Sequence, residues 1–282
     1  MKGDRPRAAQ SSIRTPPAVN NPEKYDAIGS YIAEIYDRTE SQRDDVALIL
    51  GLIGDHEKRV LEPFCGHGRI LIPLAEAGHT VEGLDFSACL LRSLENRLRL
   101  LPARVRSRAS FRRSDVIADE WPGGFDVVLL GANCLYELAT PDEQELCVRT
   151  AARALVSGGH LFMDSDHMEG SLDPSWRRPG VRHGVFPTGT CADGTEIRGT
   201  TETIWYNAAQ RLARFRRTVT VVTTDGRTHE SEWLEQCHPP STDEMSGWLQ
   251  KHGFVIEQLW GSRHREAYNH DSDRAIFWAR RQ

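Results

Sequence analysis

The stretch Arg59-Val-Leu-Glu-Pro-Phe-Cys-Gly-His-Gly-Arg69 constrains the fold more than any other part of the chain. An apolar run stops at Glu62, glycines follow at 66 and 68, and the apolar pattern from Ile70 to Ala77 predicts a helix. Seventeen residues past Gly68, a second short run from Thr80 ends on the carboxylate of Asp85. Strand, glycine turn, helix and acid-tipped strand make a βαβ unit. The turn lets a ligand approach the backbone, and the acid is placed for a ribose diol.

The surroundings of the turn narrow the ligand. A dinucleotide fingerprint needs a third glycine three residues past the second, where helix packs on strand; Leu71 stands there. A P-loop ends Gly-Lys-Ser or Gly-Lys-Thr; this turn ends Gly68-Arg69-Ile70. The turn is not well built for a pyrophosphate. The order Glu62-x-x-Cys65-Gly66-x-Gly68, then Asp85, then Asp115-Val116, resembles the class I S-adenosylmethionine-dependent methyltransferases. The likeness covers residues 59 to about 165 clearly and extends more weakly to the C-terminus.

That resemblance implies S-adenosyl-L-methionine as cofactor and assigns roles by position. Gly66 and Gly68, with Cys65 between strand and turn, pass close to the methionyl part. Glu62 helps fix the turn and the amino group. Asp85 accepts both ribose hydroxyls, Phe86 flanks the adenine, and Asp115 with Val116 beside it reads the adenine amino group. Phe64 occupies the first-glycine position of the family's longer pattern, a departure that bears on the path of the turn. The alternative reading of Asp85 and Asp115 is that they merely cap strand ends, and that of Cys65 is a small, adaptable packing residue.

With 282 residues, the chain can build one large core or a core with a substantial insertion. Hydrophobic content of 39% and charge of 27% suit a soluble globular protein. No apolar stretch is long enough to cross a bilayer, and the N-terminus lacks the apolar core of a secretory signal. The six cysteines form no Cys-x-x-Cys pair, which argues against a zinc knuckle or a disulfide framework and for free thiols in a reducing cytoplasm. A net charge of −5 argues against nucleic acid as the main partner. Against that, eight arginines crowd the 22 residues from Arg92 to Arg113, read either as a solvated basic face or as an RNA-docking edge.

Hydrophobic periodicity divides the chain into five parts. Residues 1–20 are a disordered tail and 21–55 a helical lid. Residues 56–179 alternate strand and helix and form the cofactor-binding core, with a helix over 141–156 stopped at Ser157-Gly158-Gly159. Residues 180–237 are an inserted antiparallel sheet, with strands at 196–206, 213–223 and 229–236. Residues 238–282 supply a helix and two strands that complete the core. The expected fold is therefore α/β and Rossmann-like. It has a seven-stranded, mostly parallel sheet with helices on both faces, and an antiparallel insertion over the substrate pocket.

A sulfonium methyl is already activated, so positioning and desolvation supply much of the acceleration, and a base is optional for an amine acceptor. The fourth strand delivers Asn133 and Tyr136 to the crevice, where the resemblance places them facing the methyl donor. The fifth strand delivers His167, which reads as a base or as a loop histidine. His238 matches a pocket-lining position of similar enzymes, or is a turn histidine, and Tyr36 matches a lid tyrosine, or packs on an amphipathic helix. No metal-ligand set is evident. The resulting expectation is a cytoplasmic enzyme, monomer or homodimer, that methylates an amine or hydroxyl of a small molecule, with amine preferred because the plan resembles sugar N-methyltransferases. The alternatives are an RNA or protein methyltransferase docking through the arginine-rich edge, and a non-catalytic cofactor binder.

Overall fold

A computed structural model describes residues 31–35, 44–166 and 174–282. Its core alternates helix α1 (Asp44–Ile53), strand β1 (Arg59–Pro63), α2 (Leu71–Glu76), β2 (Thr80–Asp85), α3 (Ala88–Arg99), the short α4 (Ala103–Arg106), β3 (Ala109–Arg113), β4 (Phe125–Leu130), α5 (Pro141–Ala154) and β5 (Leu155–Asp166). The insertion contributes β6 (Arg182–Thr190), β7 (Glu196–Asn207), β8 (Leu212–Val222) and β9 (Thr228–Cys237). The chain closes with α6 (Thr242–Lys251), β10 (Phe254–Trp260) and β11 (Arg274–Arg281).

The main sheet runs β10-β11-β5-β4-β1-β2-β3. It is parallel except for β11, which lies antiparallel to both β5 and β10. In β1, neighbouring side chains point to opposite faces, yet Val60 and Leu61 are both fully buried, as in a strand covered on both sides. Leu61 belongs to an apolar cluster with α5 and α6, through Cys147, Val148 and Leu249. Val60 belongs to the opposite cluster with α1, α2 and α3, through Ile49, Leu74 and Leu94. Strand order reverses direction at β1, between β4 and β2, and such a switch point opens a crevice at the C-terminal strand ends.

Helix starts follow local chemistry. The Thr140 hydroxyl accepts the Glu143 amide ahead of Pro141, and Ser241 and Glu244 form a capping box on α6. At the C-terminus of α5 the structure departs from the sequence expectation. The helix ends at Ala154, and Ser157-Gly158-Gly159 lies inside β5, where the register jumps from Phe125↔Leu155 to Val127↔His160. Gly158, at φ +78°, accommodates that irregularity.

The insertion is a four-stranded antiparallel sheet, β6-β7-β8-β9, with one strand more than the three expected. The extra strand, β6, carries Gly184, Pro187 and Gly189, and its pairing shifts between Val185 and Thr188. The helical turn over 31–35 packs on this sheet and not on the main one: Ile32 and Ile35 are buried among Ile197, Val219, Val221 and Trp233. Glu34 accepts the Ala192 amide, tying the turn to the loop after β6. Among the described residues, no helix is long and apolar enough to cross a membrane, and none of the six cysteines is paired.

Candidate functional site

A cavity of about 560 Å³ occupies the crevice at the ends of β1, β2 and β4. That volume lies within the range of small-molecule sites. Ile32 from the helical turn and Phe186 from β6 reach its wall, so the insertion and the N-terminal segment roof it.

The turn after β1 forms its floor. Phe64 (φ +62°), Gly66 (φ +52°) and Gly68 (φ +83°) all adopt left-handed backbone. Phe64 thus takes the conformation that a glycine would hold at its position, at an energetic cost that a side chain in this region carries. The turn is seated on β2 by the Cys65 amide, which donates to the Leu84 carbonyl at 3.0 Å. A Cβ at Gly83 would fall 2.6 Å from the Cys65 sulfur, so the fit requires glycine on β2. Gly68 is not among the cavity-lining residues. A Cβ there would meet Leu94 at 2.4 Å, so its role in the fold is close packing against α3.

Asp85 ends β2 inside the cavity. Its Oδ2 accepts the Gly66 amide at 2.7 Å and its Oδ1 the Ser87 amide at 2.8 Å. Burial raises its carboxyl above the usual range, with Glu137 adding to the rise and the two amides opposing it. A carboxylate has about four lone-pair sites, so the Gly66 and Ser87 amides fix its orientation without exhausting its capacity to accept. The alternative of a simple strand cap accounts for the amides but not for the position of the group on the cavity wall.

Glu62, at the end of β1, is 5% exposed and lines the same cavity. Its Oε2 is buried without a hydrogen-bond partner. Burial pushes its pKa up to about 8; Arg69 works against that rise, while Asp85 and Asp45 add to it. A buried, partnerless carboxylate oxygen is costly. Arg69 lines the wall as well, its Nη1 and Nη2 held by the two carboxylate oxygens of Asp45 at 2.9 and 2.5 Å. The sequence motif contained Arg69, but a turn-ending arginine gives no signal of which carboxylate will grip it.

On the far side, Asp115 and Val116 line the cavity beside Phe86. Asp115 Oδ1 accepts the Ile117 and Ala118 amides. Arg113 lies over the Phe86 ring at 5.0 Å and donates to the Phe86 carbonyl at 3.0 Å. Glu137 and Glu143 complete an acidic wall that the sequence reading did not assign. Glu137 comes from the segment joining β4 to α5 and Glu143 from the first turn of α5, where neither carries a binding motif.

Other expected site residues stand apart. Asn133, itself left-handed at φ +60°, turns away from the cavity: its Nδ2 donates to Asp166, and its Oδ1 accepts the Asp166 amide. Tyr136 is not a lining residue either; its hydroxyl donates to the Asp166 carbonyl, and burial pushes its phenol well above the usual range, away from use as a base. His238 is 1% exposed and also absent from the wall. Its Nδ1 meets Gln144 at 2.8 Å and its Nε2 meets Glu244 at 3.3 Å, so it pins the start of α6 against α5. Tyr36 and His167 lie outside the described residues.

Comparison with known proteins agrees with this geometry. Residues 60–159 match the family described as a methyltransferase domain. A ubiquinone biosynthesis O-methyltransferase of Ralstonia nicotianae is 33% identical over 110 residues, which are 39% of this chain and 44% of that protein. The chain spans less than half the length of the curated relatives it matches. Among solved structures, an S-adenosylmethionine-dependent methyltransferase from Clostridium acetobutylicum superposes with a TM-score of 0.70 at 13% identity, covering 89% of this chain and 98% of that one. The sugar N-methyltransferase KedS8 from a Streptoalloteichus species gives 0.62 at 16% identity, covering 99% and 100%. Residues 60–159 therefore match a methyltransferase domain, set in a chain that shares the fold of solved S-adenosylmethionine-dependent methyltransferases.

Proposed function

We propose that the chain transfers a methyl group from S-adenosylmethionine to an amine of a small molecule. One observation carries this reading: a single cavity holds Asp85, its carboxylate oriented by backbone amides, and Glu62, with a buried oxygen that lacks a partner. The first suits a ribose diol and the second an α-ammonium group. Arg69 on the same wall suits the α-carboxylate, so the donor's amino-acid end meets one acid and one base. Phe86 and Val116 offer apolar faces to the adenine, and Asp115 offers Oδ2 to its amino group, since both backbone amides fall on Oδ1.

When bound, the donor supplies a methyl on a positively charged sulfur. An acceptor nitrogen in its neutral form would take that methyl with its lone pair as the C–S bond's electrons stay on sulfur, so an amine arriving as a cation would first release a proton to solvent. Glu137 and Glu143 line the cavity with Glu62, Asp85 and Asp115, against the single positive charge of Arg69. Such a wall attracts a cationic donor and a cationic amine, although the wall also carries a histidine, His67. The relatives' names point both ways, one to O-methylation and one to sugar N-methylation. The acidic wall favours the second.

Transfer of radiolabelled methyl into a source-cell extract, separated into small molecules and macromolecules, tests the reading. Label on a small-molecule amine is expected. Label on a small-molecule hydroxyl would overturn the choice of acceptor, and label in RNA or protein would overturn the choice of substrate class.

A further inference from the structure

We infer that Asp45, on α1, is a positioning residue for the cofactor's carboxylate, acting through Arg69. This rests on the cofactor reading above and goes beyond it, because Asp45 belongs to a helix outside the matched domain and is not a lining residue of the cavity. Asp45 is 1% exposed and grips Arg69 through both oxygens. Burial alone would raise its carboxyl, but the Arg69 pair outweighs that and holds it below the usual range.

The pair is anchored from behind. Arg263 approaches Asp45 at 3.8 Å, bonds Asp44 at 3.0 Å, and meets Asp164, fully buried near the end of β5, at 3.0 Å. Arg274 on β11 holds the other oxygen of Asp164 at 2.6 Å and reaches Asp166 and Asn133. Charges therefore alternate from the cavity wall to the far strands as Arg69, Asp45, Arg263, Asp164, Arg274. An arginine gripped bidentately keeps its plane fixed, so its head is presented to the cavity in one orientation. The network fastens α1 beside the βαβ turn, and docking of α1 and capture of the cofactor's amino-acid end become one event. It also accounts for the polar side chains at the ends of β5 and β11, and for Asn133 after β4, which turns away from the cavity to meet Asp166 and Arg274.

Calorimetric titration of the full chain with two ligands separates a positioning role from a merely structural one. S-Adenosylhomocysteine carries the amino-acid end, and 5′-methylthioadenosine lacks it. Asp45→Asn keeps the shape and halves the grip. It is expected to weaken S-adenosylhomocysteine by about tenfold, in line with the loss of one charged hydrogen bond, and to leave methylthioadenosine unchanged. Glu95→Gln, which breaks an exposed ion pair with Arg99 outside this network, is expected to leave the ratio of the two affinities as in the wild type. Equal losses for both ligands in Asp45→Asn, or no loss for either, would overturn the inference. Should that variant fail to fold, Arg69→Lys carries the same test, because a single ammonium cannot be gripped bidentately: the same selective loss is expected, and an unchanged ratio overturns the inference. A wild-type protein that binds neither ligand would instead overturn the cofactor reading.

Discussion

Asp85 and Glu62 are both carboxyls at strand ends in the cavity, and their partners set them apart. Asp85 is held by two amides, whereas Glu62 keeps a buried oxygen without one. Glu62 has a folded pKa of about 8 against an ordinary 4.5, so between those values the folded chain holds a proton that the unfolded chain has released. Stability is therefore lost as pH rises from 4.5 to about 8 and is constant beyond. Glu62→Gln is expected to remove that slope in thermal melts taken across the window; a slope as steep as the wild type's would contradict it. Cofactor binding should show the opposite trend. An incoming ammonium favours the ionised acid, so S-adenosylhomocysteine affinity should rise towards pH 8 in the wild type and flatten in Glu62→Gln.

At the scale of elements, the roof is the part most open to test. Gly189 on β6 faces Ile35, and a Cβ there would lie 2.8 Å from the Ile35 Cδ1. Gly189→Val should overpack that contact at a cost of about 1–3 kcal/mol. The expected readout is a severalfold weaker Kd for S-adenosylhomocysteine, because Ile32 on the same helical turn lines the cavity; an unchanged Kd would separate roof from site. The other testable joint is the start of α6. Glu244 has its pKa lowered to about 2: burial works to raise it, but the bond to His238 and the Ser241 amide prevail. Its contribution is present above about 4.5 and lost as pH falls towards 2. Glu244→Gln should flatten acid unfolding in that window, measured by far-ultraviolet circular dichroism.

The same elements show what the sequence could express. The βαβ turn, the alternation of the core and the start of α5 at Pro141 were legible, because each rests on local signals: glycine backbone freedom, hydrophobic period and a proline in the first helical turn. Strand β6 was not, since Gly184, Pro187 and Gly189 break its pattern and only pairing with β7 makes it a strand. Gly158 read as a helix stop, yet the helix ends earlier and the glycine serves a register jump within β5. Within the site, Asp85 followed from where a strand ends, and Glu62 and Asp115 from the family resemblance; all three line the cavity. The direction taken by Asn133 and the burial of His238 depend on partners at distant positions, Asp166 and Gln144. No local pattern announces those partners.

Across the whole molecule, the arginine-rich edge is partly spent on its own fold. Arg97 donates to the His67 carbonyl, Arg108 to Gly78, Arg112 to Glu120 and Arg113 to Phe86. Arginines tied to carbonyls in this way brace the edge of the sheet, while Arg92, Arg99, Arg104, Arg106, Arg112 and Arg113 stay exposed. The acidic cavity and the ionic chain from Arg69 to Arg274 then define the polarity of the protein: cation-attracting inside the crevice, charge-paired behind it. All of this turns on the cavity being a site for S-adenosylmethionine, and isothermal titration with that compound tests it most directly. The account predicts one-to-one binding to the wild type and, for Asp85→Ala, a loss of about a hundredfold or more, the scale of two hydrogen bonds to a charged group. Equal affinity in the two proteins, or no binding to the wild type, would contradict it.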